Sequence, residues 1–289
     1  MAIDRLTDRD NGTGAPAPDG RPSATPPHPS RPVRQPKRTR EQLRSLMLEA
    51  AQKILLEEGL GVGVEALTFK RAFERVEEDT GLRLTNGSII RRVWENLAEY
   101  HTEVLLDIAV DAGYEEYEAT ADALELVLSG LDLSTPAKRL AVAAEVCRVG
   151  GGATIGSINH SSSWSLWIGV WALATAGDVT GQKARIRQAL SASYDMSNAL
   201  YEETYRALAD LLGLRLRPGL SLHQITVATG ALAEGCALRH RVDVDMEPFV
   251  LPTGPNGEGQ EWTLFGLGLH ALSERFFELD PDWAPADLY

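Results

Sequence analysis

The sequence predicts an all-α protein, in which an N-terminal three-helix domain with a helix-turn-helix precedes a helical bundle. Apolar residues recur at steps of three and four along most of the chain, as they do in amphipathic helices. Glycine and proline residues interrupt this pattern where helices would end. The best alternating stretch, residues 242–245, is too short for a convincing strand. Helices are therefore expected throughout.

Composition and charge divide the chain into three parts. Residues 11–36 contain eight prolines and cannot bury a core, so residues 1–37 are expected to form a disordered, proline-rich basic arm. Residues 38–100 are expected to form the helix-turn-helix domain, and residues 101–289 the bundle. Residues 1–99 hold 16 Lys/Arg and 15 Asp/Glu, whereas residues 100–289 hold 12 and 26. Because an acidic surface repels phosphate, contacts with double-stranded DNA are expected in the first third.

The N-terminal helices can be placed from their caps and glycines. The first helix is expected to end at Gly59, and a loop follows over residues 60–67. Thr68 is expected to cap a second helix that ends at Gly81. A short third helix should contain residues 89–94, and a long fourth should run from Asn96 to Glu118. Further helices are expected at residues 120–129, 136–149, 162–176, 180–212, 221–240 and 262–278.

The second and third helices form a candidate helix-turn-helix. Their apolar faces can pack together, which leaves polar residues near the start of the third helix for the major groove. Amides at that start suit a phosphate, and arginines suit guanine or phosphate. A solvated helix pair without a partner would show the same apolar pattern. The candidate DNA-binding residues are Lys37, Arg38, Arg40, Thr68, Lys70, Thr85, Asn86, Ser88, Arg91 and Arg92.

These N-terminal segments resemble the DNA-binding domain of the TetR (tetracycline-repressor-like) family of transcription regulators. The matching segments are residues 47–59, Leu67-Thr68, Gly81-Leu82, residues 87–93 and the start of the fourth helix near Asn96. The resemblance implies a DNA-binding regulator, most often a repressor, that binds a DNA operator as a homodimer. It also implies that the C-terminal bundle, residues 101–289, dimerises and binds a small-molecule effector of unknown identity.

The resemblance extends to the last two expected helices, through residues 233–243. In the family, these two helices pair with their copies in a four-helix dimer interface. Core packing within one subunit would produce the same apolar pattern, so both interpretations stay open. The candidate interface residues are Leu232, Leu264, Leu267, Leu272 and Phe276.

Three tryptophans suggest where an effector would bind. Trp164, Trp167 and Trp171 are spaced by three and four residues, so they share one helix face. Three large aromatic rings on one face can line an apolar pocket, although they can equally fill a core. Polar groups that could orient a ligand lie nearby in sequence. The candidate ligand-binding residues are Cys147, Arg148, His160, Trp164, Trp167 and Trp171.

No sequence motif points to catalysis, a metal or a cofactor. The six histidines are not part of an HExxH sequence, and neither GxSxG nor a phosphate-binding loop occurs. The two cysteines, Cys147 and Cys236, lack metal-site spacing and fit a reducing compartment. We therefore expect a cytoplasmic protein that is not an enzyme and has no cofactor. The alternatives are a helical protein-binding module and an atypical helical enzyme without DNA binding.

The uncharged stretch 149–177 requires a check for a membrane span. Only residues 164–176 within it are densely apolar, and a spanning helix needs about 20 such residues. A buried core helix is expected there, with no membrane partner.

Overall fold

The computed structural model describes residues 38–60, 63–110, 114–129, 131–177, 181–244, 246–254 and 256–284. The fold is predominantly helical, which confirms the all-α prediction. The helices are α1 (Arg40–Glu58), α2 (Phe69–Thr80), α3 (Asn86–Ile89), α4 (Leu97–Val110), α5 (Tyr114–Leu128), α6 (Pro136–His160), α7 (Ser162–Thr175), α8 (Gln182–Leu212), α9 (Leu222–Arg241) and α10 (Leu264–Phe276). Among the described residues, no helix is both long and apolar enough to cross a membrane.

Helix ends coincide with side chains that satisfy the free backbone groups. The Thr68 side chain accepts a hydrogen bond from the amide of Arg71 at the start of α2. Thr39 forms a capping box with Gln42 at the start of α1. Gly81 ends α2 in the left-handed conformation, with φ of 70°, which a residue with a Cβ adopts only at a cost. The predicted bounds of α2 are therefore confirmed.

The first four helices surround an aromatic centre. Trp94 and Tyr100 are almost fully buried, with ring centroids 4.7 Å apart. Phe69 stacks on Tyr100 at 5.2 Å, and the Tyr100 hydroxyl donates to the Met47 carbonyl at 2.9 Å. The same core continues through Trp167 on α7 and into α8. The core beneath the helix-turn-helix therefore extends into α7 and α8, while two further apolar clusters lie elsewhere in the bundle.

Four short strands form two antiparallel pairs. Strand β1 (Leu214–Leu216) pairs with β4 (Phe277–Leu279), and β2 (Phe249–Leu251) pairs with β3 (Gln260–Trp262). Each strand has three residues, so none could show a period of two in the sequence. No strand was predicted at these points, and β1 and β2 lie between the expected helices, because partners distant in sequence determine the pairing.

The third predicted helix is much shorter than expected. α3 ends at Ile89, the residues after it form a turn, and Arg91 has a φ of 65°. The Ile89 carbonyl accepts hydrogen bonds from the amides of Arg92, Val93 and Trp94, which closes the turn. The Trp94 ring packs against Phe69, and this packing explains why the chain leaves the helix after Ile89.

Two further helix predictions need correction. Where one helix was expected from Asn96 to Glu118, the structure has α4 as far as Val110 and a separate α5 from Tyr114. Helix α6 was expected to end near residue 149, yet it continues to His160 through the glycine cluster. A Cβ on Gly151 would lie 2.6 Å from the Gly266 Cα, so close packing of α6 on α10 offsets the low helix propensity of glycine.

Candidate functional site

The helix-turn-helix is formed by α2, a five-residue connection and the single turn of α3. Ala72 and Val76 on α2 and Ile89 on α3 are buried, so both helices rest on the shared core. The opposite side of α3 is exposed at Thr85, at Asn86 and, just after the helix, at Arg91. The motif thus has a packed inner face and a polar outer edge.

Some of the predicted DNA-binding residues have structural roles. The Thr68 side chain caps α2, and Arg40 Nη2 donates to the Val93 carbonyl at 3.1 Å, which supports the turn after α3. Lys70 is exposed and lies 3.7 Å from the Glu74 carboxylate one helical turn away. The contacts of Thr68 and Arg40 thus support the motif from within, whereas the Lys70–Glu74 pair lies on the surface of α2.

Of the remaining predicted DNA-binding residues, some are exposed around α3 and others lie wholly or partly outside the described residues. Thr85, Asn86, Arg91 and Arg92 are exposed around α3. Ser88 lies in α3, but its side chain is outside the described part. Lys37 also lies outside the described residues, and Arg38 belongs to the separate unit formed by residues 1–38.

Several cations around the motif are neutralised by carboxylates of the same chain. They pair Arg44 with Glu103, Lys53 with Asp79, Arg71 with Glu58, Arg75 with both Glu57 and Asp79, and Arg83 with Glu77. Hydrogen bonds from Lys53 and Arg75 lower the pKa values of Asp79 and Glu57, respectively. Phosphate contacts from these paired cations would first require the pairs to open.

A cavity of about 210 Å³ lies in the bundle, between α5, α6, α7, α8, α9 and α10. Its wall is mostly apolar and strongly aromatic, which is typical of a small-molecule site. The aromatic residues of the wall are Trp164, Trp167, Tyr194, Tyr201, Tyr205, Phe265 and Phe277. Glu234 is the only charged residue among the described residues that line the cavity.

Glu234 and Tyr194 form the polar centre of this wall. The Tyr194 hydroxyl donates to Glu234 Oε1 at 2.8 Å. Burial raises the pKa of Glu234, and burial together with the adjacent carboxylate raises the pKa of Tyr194. No cation pairs with the Glu234 carboxylate among the described residues.

Trp167 adds a polar group without a protein partner. Its side chain is 5% exposed, and Nε1 is buried without a hydrogen-bond acceptor in the described part of the chain. Its ring meets the Tyr194 ring edge-on at 5.3 Å. Trp167, Tyr194 and Glu234 therefore form one contiguous group on the cavity wall.

Cys147 also lines the cavity, but it is poorly suited to nucleophilic chemistry. Its sulfur lies 3.5 Å from the Ser273 hydroxyl. Burial raises the pKa of the Cys147 thiol to about 11, so the thiol stays protonated near neutral pH. Because the thiolate is the reactive form, this cysteine is an inert part of the wall.

The structure brings three of the six predicted ligand-binding residues to the cavity. Cys147, Trp164 and Trp167 line it. Arg148 instead pairs with Glu145 at 2.6 Å. His160 is exposed, with Nδ1 at 2.7 Å from the Gly156 carbonyl. Trp171 is 38% exposed and does not belong to the described lining.

Sequence reasoning missed the contribution of α8. Tyr194, Asn198, Tyr201 and Tyr205 are spaced by four, three and four residues, and all four line the cavity. This spacing was a usable signal, because it places the residues on one helix face. Glu234 gave no such signal, since a glutamate within a helix is ordinarily on a solvated face.

The predicted dimer-interface residues lie on α9 and α10. Leu264 is 37% exposed, whereas Leu232, Leu267, Leu272 and Phe276 are half-buried. Leu232 packs against Gly268 between the two helices. Val227 and Leu238 on α9 are also exposed apolar side chains. Dimerisation stays a prediction.

The described residues contain no group of three or more His, Cys, Asp or Glu that could hold a metal ion.

Comparisons with known proteins leave the family open. No family model matches the sequence, and no curated protein matches it. Among solved structures, the chain is similar to the crystal structure of a "putative transcriptional regulator" from Saccharomonospora viridis in complex with choline. The two are 15% identical with a TM-score of 0.40, and the match covers 82% of this chain and 99% of that chain. Similarity at this level carries no information about the function or ligand of this chain.

Proposed function

We propose that the chain is a TetR-like DNA-binding transcription regulator whose DNA affinity changes when a small molecule occupies the bundle cavity. One observation carries the proposal: Trp167 belongs both to the cavity wall and to the core beneath the helix-turn-helix. A ligand that displaces this ring therefore acts on the core that holds α1, α2 and α4.

A second contact supports this route from the cavity to the DNA-binding motif. A Cβ on Gly169 would lie 2.5 Å from Leu60 Cδ1, so α7 packs closely on Leu60, two residues beyond the end of α1. Close-packed elements do not deform continuously, so they convert a small shift into a change of packing. A movement of α7 would thus change the position of α1 and, through it, of α2.

The proposed DNA-reading edge is the exposed side of α3 with the turn after it. Asn86 and Arg91 offer an amide and a guanidinium to base edges or phosphates. In a homodimer, two such edges would meet successive major grooves, about 34 Å apart. The proposed sign of regulation is repression, with release of DNA on effector binding.

The first experiment selects binding sites from a random DNA pool at two salt concentrations. A two-fold-symmetric motif is expected, because a symmetric dimer reads two half-sites. The double variant Arg91→Ala, Arg92→Ala should bind that motif at least about tenfold more weakly. Arg185→Ala, Arg187→Ala removes the same charge from exposed positions on α8 and should leave DNA affinity within about twofold.

Two results would contradict this proposal. One is a pool without any enriched sequence, even when cell extract is added as a source of effector. The other is equal loss of DNA affinity in both double variants, which would mean that only overall charge matters. Circular dichroism and size-exclusion chromatography verify that each variant keeps its helicity and assembly.

A further inference from the structure

We propose that the cavity binds an organic monocation, with Glu234 as its counter-ion and the rings of Trp167 and Tyr194 beside it. This inference rests on the proposed function only in treating the cavity as the effector site. The argument comes from the charge, the aromatic wall and the size of the cavity.

The charge of the wall selects the sign of the ligand. Glu234 lines the cavity, and none of the other described lining residues is Lys, Arg, His or Asp. An anionic ligand would meet an unopposed carboxylate. A neutral ligand would leave that half-buried carboxylate without a counter-ion, which is costly in an apolar surrounding. A cation removes this cost, because it supplies the opposite charge that the protein lacks there.

The aromatic rings suit the same kind of ligand. Aromatic faces attract cations, and more strongly when water is excluded. Tyr194 meets Trp167 edge-on and donates its hydroxyl to Glu234, so rings and carboxylate lie side by side. The Trp164 ring already contacts a cation of the protein, since the Arg241 guanidinium lies 5.1 Å from its ring centroid. The cation is therefore assigned to the Trp167 side of the wall.

Size and hydrogen bonding define the ligand further. A cavity of about 150 Å³ holds benzene, so this one, at about 210 Å³, suits a molecule of roughly eight to ten non-hydrogen atoms. The buried Trp167 Nε1 is a donor without an acceptor in the described part of the chain. An oxygen or nitrogen atom of the ligand would satisfy it.

The test uses a matched pair of probes without DNA. Phenyltrimethylammonium is a monocation, and tert-butylbenzene is its neutral isostere with carbon in place of nitrogen. Calorimetric titration of the full chain is expected to show at least tenfold tighter binding of the cation. Glu234→Gln should remove that preference, while the exposed α8 variant Glu203→Gln should keep it. Glu234→Asp, which keeps the charge, serves if Glu234→Gln does not fold, and it should retain the preference for the cation.

Equal affinity for both probes, no binding of either, or an unchanged preference in Glu234→Gln would overturn the inference. These outcomes are independent of DNA recognition, because no DNA is present. If the cation binds as expected but leaves DNA binding unchanged, the ligand class stands and the regulatory proposal fails. If DNA is recognised but neither probe binds, the regulatory proposal stands and the ligand class fails.

Discussion

The half-buried carboxyl of Glu234 should make the stability of the protein depend on pH. Burial raises the pKa of Glu234, so the folded state binds its proton more tightly than the unfolded state does. This contribution favours folding at low pH and is lost as the pH rises through the folded-state pKa. Glutamine resembles the protonated form and does not ionise. Glu234→Gln should therefore increase the free energy of unfolding at about pH 8, by an amount that shrinks towards pH 4.

Urea denaturation at the two pH values measures this difference. The exposed Glu203→Gln serves as the matched control, because Glu203 is not part of the described cavity wall. A stability gap of the same size at both pH values would mean that the carboxyl is not destabilised by burial. Glu234→Gln can stabilise the fold although it changes a binding site, because binding sites often contain groups that destabilise the protein.

At the scale of single elements, a cap residue and a glycine were enough to predict where α2 begins and ends. Thr68 and Gly81 bound α2 as predicted, because a side-chain cap and a left-handed glycine act within a few residues. The end of α3 could not be predicted in this way. Trp94 leaves the helix because its ring packs on Phe69 and Tyr100, which come from other elements.

The residues of the cavity wall could likewise be predicted only in part from neighbouring positions in the sequence. The spacing of Trp164 and Trp167 placed them on one face of α7, and both line the cavity, because a period of 3.6 residues fixes a helix face. The pairing of Tyr194 with Glu234 joins residues 40 positions apart, and only packing of α8 on α9 brings them together. Charge burial of this kind has no signature in a single sequence.

The contact between α6 and α10 yields a prediction about glycine. A Cβ on Gly151 would lie 2.6 Å from the Gly266 Cα, whereas a Cβ on Gly152 meets nothing within 4 Å. Gly151→Ala should lower the free energy of unfolding by about 1–3 kcal/mol, because backbone must move to admit the methyl group. Gly152→Ala, one residue along the same helix, should be neutral or stabilising by up to about 1 kcal/mol. Urea denaturation compares the two, and equal effects would contradict close packing at this crossing.

At the scale of the whole molecule, charge distribution limits how DNA can be bound. The chain carries a net charge of −13, and many cations near the helix-turn-helix are already paired with carboxylates. Long-range attraction to phosphate is therefore weak, and affinity depends on local contacts made by a few groups near α3. A small change in the position of α3 should consequently have a large effect on DNA binding.

This dependence can be tested through thermodynamic linkage. If an occupied cavity shifts α7 against the core under α2, phenyltrimethylammonium at saturation should weaken binding to the selected DNA by about 5–150-fold. Reciprocity then requires that saturating DNA weaken binding of the cation by the same factor. Fluorescence anisotropy of labelled DNA measures the first factor, and calorimetric titration of the protein–DNA complex measures the second. Trp167→Phe should reduce both factors together, because the substitution alters the ring that belongs both to the cavity wall and to the core beneath the helix-turn-helix. If neither the cation nor the DNA changes the affinity for the other, the cavity and the helix-turn-helix are not coupled, even though Trp167 belongs both to the cavity wall and to the core under α2.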